Sequence, residues 1–342
     1  MAGATLDRLL PVWIGSAMVG GILLGRLIPD LNDTLDKVKV DTVSLPIAIG
    51  LLAMMYPVLA KVRYRGISAE LGDRRTMGLS LVLNWVVGPA LMFTLAWVFL
   101  GDLPELRTGL IIVGLARCIA MVLIWNDLAC GNSELGAVLV AVNSVFQIVM
   151  YTVLGWFYLD LLPGWLGLET QSLDVGMWPI AKSVLIFLGI PLVAGFLTRT
   201  ILEAGKGTDW YEHSFLPRIG PIALYGLLFT IVVLFSLQGD QILDRPLDVA
   251  RVAVPLLIYF TLMWFGSFGA GYRLGLPYDR NTSVAFTAAG NNFELGIAVA
   301  IAVFGVTSGQ ALAGTIGPLI EVPVLVGLVY VALWAKRRWY GG

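Results

Sequence analysis

Long apolar stretches, separated by short polar linkers, run along the whole chain. They lie at about 9–29, 43–60, 77–100, 108–129, 135–159, 179–198, 219–238, 250–271, 282–305 and 311–334, and we number them spans 1 to 10. A helix that crosses a bilayer needs about 20 apolar residues. The pattern therefore predicts an all-α, polytopic membrane protein with ten transmembrane helices. The linkers are too short to hold a soluble domain, so we expect one transmembrane domain over residues 1–342.

Composition narrows the class of protein further. Hydrophobic residues make up 58% of the 342 residues, charged residues 13%, and the mean hydropathy is +0.85. Soluble domains carry about 25% charged residues, so this chain cannot cover a soluble surface, and disordered, coiled-coil and secreted disulfide-rich classes are excluded as well. The net charge of −1 offers no attraction for nucleic acid. No cleavage site of small residues follows span 1, so we expect a retained helix and not a signal peptide.

The basic residues of the linkers predict the orientation of the chain. With both termini in the cytoplasm, 14 Lys and Arg residues lie on the inner side and 7 on the outer side. The outer residues are Arg26, Lys37, Lys39, Arg107, Lys182, Arg245 and Arg251, and the inner ones are Arg8, Lys61, Arg63, Arg65, Arg74, Arg75, Arg199, Lys206, Arg218, Arg273, Arg280, Lys336, Arg337 and Arg338. Cytoplasmic loops carry the excess of Lys and Arg, so we expect a multi-pass protein of the cell membrane with both termini inside.

An internal repeat divides the chain into two halves. The matches are Leu45–Ala48 with Gly220–Ala223, Leu103-Pro104 and Arg107 with Leu276-Pro277 and Arg280, and Gln147 with Glu321, at offsets of 175, 173 and 174. Each half, 1–170 and 171–342, then holds five spans. An odd number of spans inserts the second half upside down, and inverted repeats of this kind are typical of transporters with a site at the bilayer midplane.

Polar residues inside spans are costly and mark functional sites. The candidates are Asn84 in span 3, Arg117 and Cys118 in span 4, Asn143, Ser144 and Gln147 in span 5, Asn291, Asn292 and Glu294 in span 9, and Glu321 in span 10. The single histidine, His213, lies in a polar segment. Histidine-based metal or nucleophile chemistry within the membrane is therefore not expected.

The repeat brings the two most polar clusters into correspondence. At an offset of 174, Cys118 matches Asn292 and Arg117 matches Asn291. Glycine and asparagine favour turns over helix interiors, so Gly290 and the two asparagines predict a broken helix in span 9, with backbone groups facing a cavity. Span 4 has no glycine or proline at the matching point, so its break follows from the repeat alone.

The charges near these breaks allow two interpretations. Arg117 must be paired or hydrated, and Glu294 and Glu321 are the intramembrane anions that could pair with it. Such a pair would be a structural salt bridge or part of a transport site. A cation next to Cys118 favours the thiolate, which is a soft ligand for soft ions.

Other residues of spans 4 and 5 allow simpler roles. Cys130 lies near the end of span 4, and we interpret it as a bystander, about 18 Å from Cys118 if one helix joins them. Asn143 and Gln147 share a helix face, where they line a cavity or bond spans 4 and 5 together.

Four stretches carry a resemblance to a known family. They are Gly114–Val122 with Trp125–Asp127, Val140–Gln147, Ala288–Leu295 and Ile316–Leu325. In these motifs, and over essentially the whole chain, the sequence closely resembles the ACR3 family of arsenite efflux permeases.

The resemblance implies a fold and an activity. The fold is ten helices in two inverted five-helix repeats, with broken helices 4 and 9 crossing at the midplane. The activity is export of trivalent arsenite, and of antimonite in some members, against proton influx. The family's essential thiol and the arginine beside it match Cys118 and Arg117, its carboxylates match Glu294 and Glu321, and its helix 3 asparagine matches Asn84. No cofactor is expected, and no extra cytoplasmic cysteines suggest a docking site for a metallochaperone.

Our hypothesis from the sequence is a proton-coupled arsenite exporter in the lipid bilayer, and not an enzyme. Cys118 is the labile As(III) ligand, Arg117 activates the thiol and orients oxygens, and Glu294 exchanges the proton. A sodium-coupled organic anion symporter of the same fold is the first alternative, in which Arg117 and the asparagine pair bind a carboxylate and sodium. An intramembrane thiol enzyme such as an acyltransferase is the second, although no span offers a histidine base to Cys118.

Overall fold

The structure, a computed structural model, describes residues 10–28, 39–40, 43–62, 73–119, 121–168 and 177–341. Within these ranges most of the chain is helical, and a two-stranded antiparallel ribbon pairs β1 (Lys39–Val40) with β2 (Val43–Ser44). The basic residues Arg8, Lys37, Arg63 and Arg65 and the boundary between the predicted halves at 170/171 lie outside the described residues.

The helices follow the predicted spans in order. They are α1 (Leu10–Leu27), α2 (Leu45–Ala60), α3 (Arg74–Leu100), α4 (Pro104–Leu115), α5 (Met121–Leu128), α6 (Ser133–Trp165), α7 (177–206), α8 (208–244), α9 (Pro246–Arg273), α10 (Tyr278–Ala289), α11 (Phe293–Phe304) and α12 (Gly309–Trp339). Single π-helical turns interrupt α3, α6, α7 and α8 at Leu83–Val87, Phe157–Leu161, Leu185–Gly189 and Tyr211–Phe215.

The lengths and composition of these helices are those of a polytopic membrane protein. Helices α3, α6, α7, α8, α9 and α12 are each long and apolar enough to cross a bilayer, and α1, α2 and α11 are shorter apolar helices. Large apolar side chains cover their outer faces, including Val98, Val149, Ile201 and Leu262. Soluble proteins rarely expose apolar surface on this scale, so these faces lie against lipid.

The helices pack in two groups. In the first group α8 lies against α1 and α2, and α7 lies against α2. The backbones approach closely there, because a Cβ at Gly21 of α1 would lie 2.6 Å from the carbonyl oxygen of Val232. In the second group α12 packs on α4, α9 and α11, while α3 packs on α4 and α9. Helix α6, which carries Asn143, Ser144 and Gln147, packs on α5, α7 and α10. The other candidate polar residues lie in the second group or at its helix breaks.

Two helices of the second group are interrupted. Ala116 follows α4 in an extended conformation and the helix resumes at Met121 as α5. Gly290 follows α10 in an extended conformation and α11 begins at Phe293, with Asn292 as its N-cap. Spans 4 and 9 are thus each divided into two helices at the polar clusters.

Candidate functional site

The two helix breaks lie side by side and pair through their backbones. Arg117 and Asn291 form an antiparallel β-bridge. On either side of that pair, the Cys118 N–H donates to the Gly290 carbonyl at 3.3 Å and the Asn292 N–H donates to the Ala116 carbonyl at 3.1 Å. We call this element the crossing bridge. It brings together the residues that the offset of 174 places in correspondence.

Two side chains from neighbouring helices hold the outer edges of the crossing bridge. Gln147 of α6 accepts from the Arg117 N–H at 2.9 Å and donates from Nε2 to the Arg117 carbonyl at 3.0 Å. Glu321 of α12 accepts from the Asn291 N–H through Oε1 at 3.1 Å. Gln147 and Glu321, which match in the sequence repeat, therefore make corresponding contacts on opposite edges of one bridge.

The thiol of Cys118 is buried against Gly290. A Cβ at Gly290 would lie 2.9 Å from the Cβ of Cys118, 3.5 Å from its Sγ and 3.4 Å from Oε1 of Glu321. The thiol and the carboxyl group consequently lie on the same side of the bridge, within about 7 Å of each other. Glycine at position 290 leaves room for both. Neither Cys118 nor Cys130 forms a disulfide, and Cys130 is exposed.

Arg117 is fully buried and points away from the carboxyl groups. Its Nη1 donates to the Tyr259 hydroxyl at 2.9 Å, its Nη2 donates to the Gly114 carbonyl, and its Nε has no partner among the described residues. In this structure the expected ion pair with Glu294 or Glu321 is absent from the described part of the chain. Successive side chains of an extended segment point in opposite directions, so Arg117 turns toward α9 because Cys118 faces Glu321.

Glu294 lies in the first turn of α11, beyond the crossing bridge. It is 9% exposed, whereas Glu321 is fully buried, so Glu294 is the more accessible of the two carboxyl groups. The N-terminus of α11 favours negative charge at this position.

The two asparagines of the second break each cap a helix, and each has one polar atom without a partner in the described part of the chain. Asn291 donates from Nδ2 to the carbonyls of Val113 and Ala116 at the end of α4, at 3.0 and 3.2 Å. Asn292 accepts from the Leu295 N–H at 3.1 Å. Within the described residues, Oδ1 of Asn291 and Nδ2 of Asn292 are buried and make no hydrogen bond. Such atoms are available to a polar ligand.

Asn143 and Gln147, for which the sequence left open a cavity lining or a bond between spans 4 and 5, bond different helices. Trp85 of α3 donates to Oδ1 of Asn143 at 3.2 Å, and Asn143 donates to Oδ1 of Asn84 at 3.4 Å. Asn143 therefore joins spans 3 and 5, whereas Gln147 bonds the break of span 4. The π-helical turn that contains Asn84 and Trp85 turns both side chains toward α6.

Sequence reasoning missed Tyr259, Trp85 and the close contact at Gly290. Tyrosine and tryptophan are expected at both membrane interfaces, so neither aromatic residue stood out from the 11 Tyr and 11 Trp of the chain. Among the described residues, no group of three or more His, Cys, Asp or Glu side chains is placed to hold a metal ion. The site thus combines one thiol with carboxyl, amide and guanidinium groups.

The known proteins to which this chain is similar are transporters and arsenical-resistance proteins. Residues 48–245 match the model of the sodium bile acid symporter family. The chain is 61% identical to the arsenical-resistance protein Acr3 of Corynebacterium glutamicum, over 96% of this chain and 89% of that protein. It is 32% identical to an arsenical-resistance protein Acr3 of Alkaliphilus metalliredigens, over 98% of this chain and 94% of that protein. An uncharacterized transporter of Synechocystis sp. is 37% identical over 98% of this chain.

Proposed function

The chain belongs to the sodium bile acid symporter family and, within it, to the Acr3 arsenical-resistance group, and on that premise we propose that it exports trivalent arsenite from the cell in exchange for protons. The observation that carries the proposal is the position of Cys118. Its thiol lies where the two helix breaks pair, on the same side as the buried carboxyl group of Glu321.

One thiol suits a transported As(III). Arsenous acid exchanges one hydroxyl for the Cys118 sulfur: an S–As bond forms, an As–O bond breaks, and the departing hydroxide leaves with the thiol proton as water. We propose that the remaining As–OH groups bond to polar atoms of the second break, such as Nδ2 of Asn292, which is buried without a partner among the described residues. Three thiolates would hold arsenic too tightly for release, and this chain has two cysteines. Antimonite, also trivalent and thiophilic, is the second substrate that we expect.

The proposed topology is ten membrane spans in two inverted five-helix repeats, with both termini in the cytoplasm and the crossing bridge near the bilayer midplane. The equivalent contacts of Gln147 and Glu321 support the repeat. In transporters of inverted-repeat architecture the substrate site lies where broken helices meet. Accessibility of cysteines introduced at Lys336 and at Asp102 to a membrane-impermeant reagent would test the orientation.

The proton is assigned to Glu294. It is the more accessible buried carboxyl group at the crossing, and it lies at a helix N-terminus that stabilises its ionised form. We propose that Glu294 takes up a proton on the outer side and releases it on the inner side as the site changes access. A proton that moves down 100 mV supplies about 2.3 kcal/mol, enough for roughly fifty-fold accumulation of the substrate.

A sodium-coupled organic anion symporter is the second candidate, favoured by the family's name and by buried Arg117, which has no carboxylate partner among the described residues. The two functions differ in what Cys118 contributes. A carboxylate substrate would use the guanidinium and would not require the thiol.

Arsenite uptake into everted vesicles separates the two candidates. When the vesicle lumen is more acidic than the medium, we expect arsenite uptake in the wild type and no uptake in Cys118→Ser. The control Cys130→Ser should show normal uptake. Uptake that requires sodium and persists in Cys118→Ser would favour the symporter.

A further inference from the structure

The backbone groups of the crossing bridge are satisfied unequally on its two edges. Arg117 and Asn291 each direct one N–H and one carbonyl outward, since the bonds between the two segments are made by their neighbours. Gln147 satisfies both outward groups of Arg117, and Glu321 satisfies the Asn291 N–H. Among the described residues, no donor reaches the Asn291 carbonyl, and Oε2 of Glu321 is buried without a partner.

The chemistry of the two side chains explains the difference. An amide such as that of Gln147 offers one acceptor and one donor, whereas an ionised carboxylate only accepts. A protonated carboxylic acid again offers one of each. We propose that Glu321 binds a proton at Oε2 and, in that form, donates to the Asn291 carbonyl, so that it closes the second edge of the crossing bridge as Gln147 closes the first.

The surroundings of Glu321 favour the proton-bound form. The titratable or charged groups at the two breaks are Cys118, Arg117 and Glu294, and Tyr259 of α9 bonds Arg117. The other such groups of α4 and α9 lie toward the ends of those helices, and they are Glu105, Arg107, Asp248, Arg251, Tyr272 and Arg273. Arg117 is engaged by Tyr259 and Gly114 and does not pair with Glu321, and a like charge on Glu294, three residues after Asn291, would disfavour a negative charge on Glu321. A buried charge without a cation partner is costly. A proton on Glu321 removes that cost and adds the missing hydrogen bond.

The same proton affects the substrate site through the backbone. Glu321 holds Asn291, and the adjacent Gly290 packs directly on the Cys118 thiol. Loss of the proton replaces a hydrogen bond with repulsion between two oxygens and loosens this backbone. Glu321 is therefore a positioning residue whose protonation favours arsenite binding. That link to arsenite rests on the proposed function, whereas the protonation itself does not.

Infrared difference spectroscopy of the purified protein tests the protonation. We expect the carbonyl stretch of a buried carboxylic acid at neutral pH in the wild type and its loss in Glu321→Gln. The control Glu294→Gln keeps that band, and Gln147→Glu, which places an acid at the equivalent position, adds a second one. Identical spectra of the wild type and Glu321→Gln would overturn the proposal.

Arsenite binding to the purified protein tests the consequence. When pH rises far enough to ionise Glu321, we expect the wild-type affinity to fall about tenfold more than that of Glu321→Gln, the value for loss of one hydrogen bond. Titration of arsenous acid affects both proteins equally and cancels. Glu321→Leu, which cannot close the bridge, binds weakly at every pH. The same pH dependence of arsenite affinity in the wild type and Glu321→Gln would contradict the link between protonation of Glu321 and arsenite binding. Absence of arsenite binding in all variants would refute the proposed function, and the infrared test of the protonation would still hold.

Discussion

Arg117 donates a hydrogen bond from Nη1 to the hydroxyl oxygen of Tyr259 at 2.9 Å, across the interface between the first helix break and α9. The guanidinium is fully buried and has only neutral oxygens as hydrogen-bond partners among the described residues. Gly88 of α3 makes this possible, because a Cβ there would lie 2.6 Å from Nη1 and 3.1 Å from the tyrosine hydroxyl oxygen.

Tyr259→Phe should destabilise the protein, because it removes a hydrogen bond to a buried charge, worth about 1.5–3 kcal/mol. Thermal unfolding in detergent would measure the change. Tyr225→Phe is the control, since Tyr225 is exposed, and it should unfold like the wild type. Equal stability of the two variants would mean that Arg117 finds another partner.

Gly290→Ala should lower the arsenite affinity, with a smaller effect on the free energy of unfolding. The new Cβ would lie 2.9 Å from the Cβ of Cys118, and overpacking of this kind costs about 1–3 kcal/mol and displaces the thiol. The control Gly266→Ala adds a methyl group where nothing lies within 4 Å. Arsenite titration of the purified variants gives the comparison. An unchanged arsenite affinity in Gly290→Ala would show that the backbone at position 290 does not position the Cys118 thiol.

The sequence predicts that the two polar clusters lie together, but it does not predict the directions in which their side chains point. The offset of 174 matched Arg117 with Asn291, and the structure pairs those residues in one bridge. The expected ion pair of Arg117 required its side chain to point toward Glu294 or Glu321. That direction depends on the alternation of side chains in the extended segment, and span 4 contains no glycine or proline that would have located the segment.

The partners of the site residues were harder to predict than the residues themselves. Asn84 and Asn143 are polar residues in apolar spans and stood out on that ground. Their contact depends on the π-helical turn Leu83–Val87, which ordinary helical periodicity does not indicate. Tyr259 looks like any interfacial aromatic in the sequence, and its role depends on where α9 packs.

Gln147→Leu should strongly destabilise the protein. It leaves the N–H and the carbonyl of Arg117 buried without partners, at about 1–3 kcal/mol for each group. Val145→Leu, two positions away on the exposed face of α6, is the control and should be neutral. Denaturation curves of both variants measure the change in the free energy of unfolding. Near-wild-type stability of Gln147→Leu would show that water replaces the hydrogen bonds of the glutamine.

Glu294→Gln should separate binding from coupling. The amide matches the protonated acid in shape and hydrogen bonding but cannot release a proton, so we expect arsenite binding without uphill transport. Arsenite titration of the purified variant measures binding. Arsenite accumulation in everted vesicles, with the lumenal pH followed in parallel, measures transport and proton flux. Uphill transport linked to proton flux in the variant would remove Glu294 as the carrier and leave Glu321 as the candidate.

Direct observation of the arsenic ligands tests the central claim, that Cys118 binds the transported As(III). X-ray absorption spectroscopy at the arsenic edge, on purified protein loaded with arsenite, distinguishes sulfur from oxygen neighbours. We predict one sulfur and two oxygen ligands in the wild type and in Cys130→Ser, and no sulfur ligand in Cys118→Ser. A sulfur ligand that persists in Cys118→Ser, or a wild-type spectrum with oxygen neighbours alone, would contradict the account.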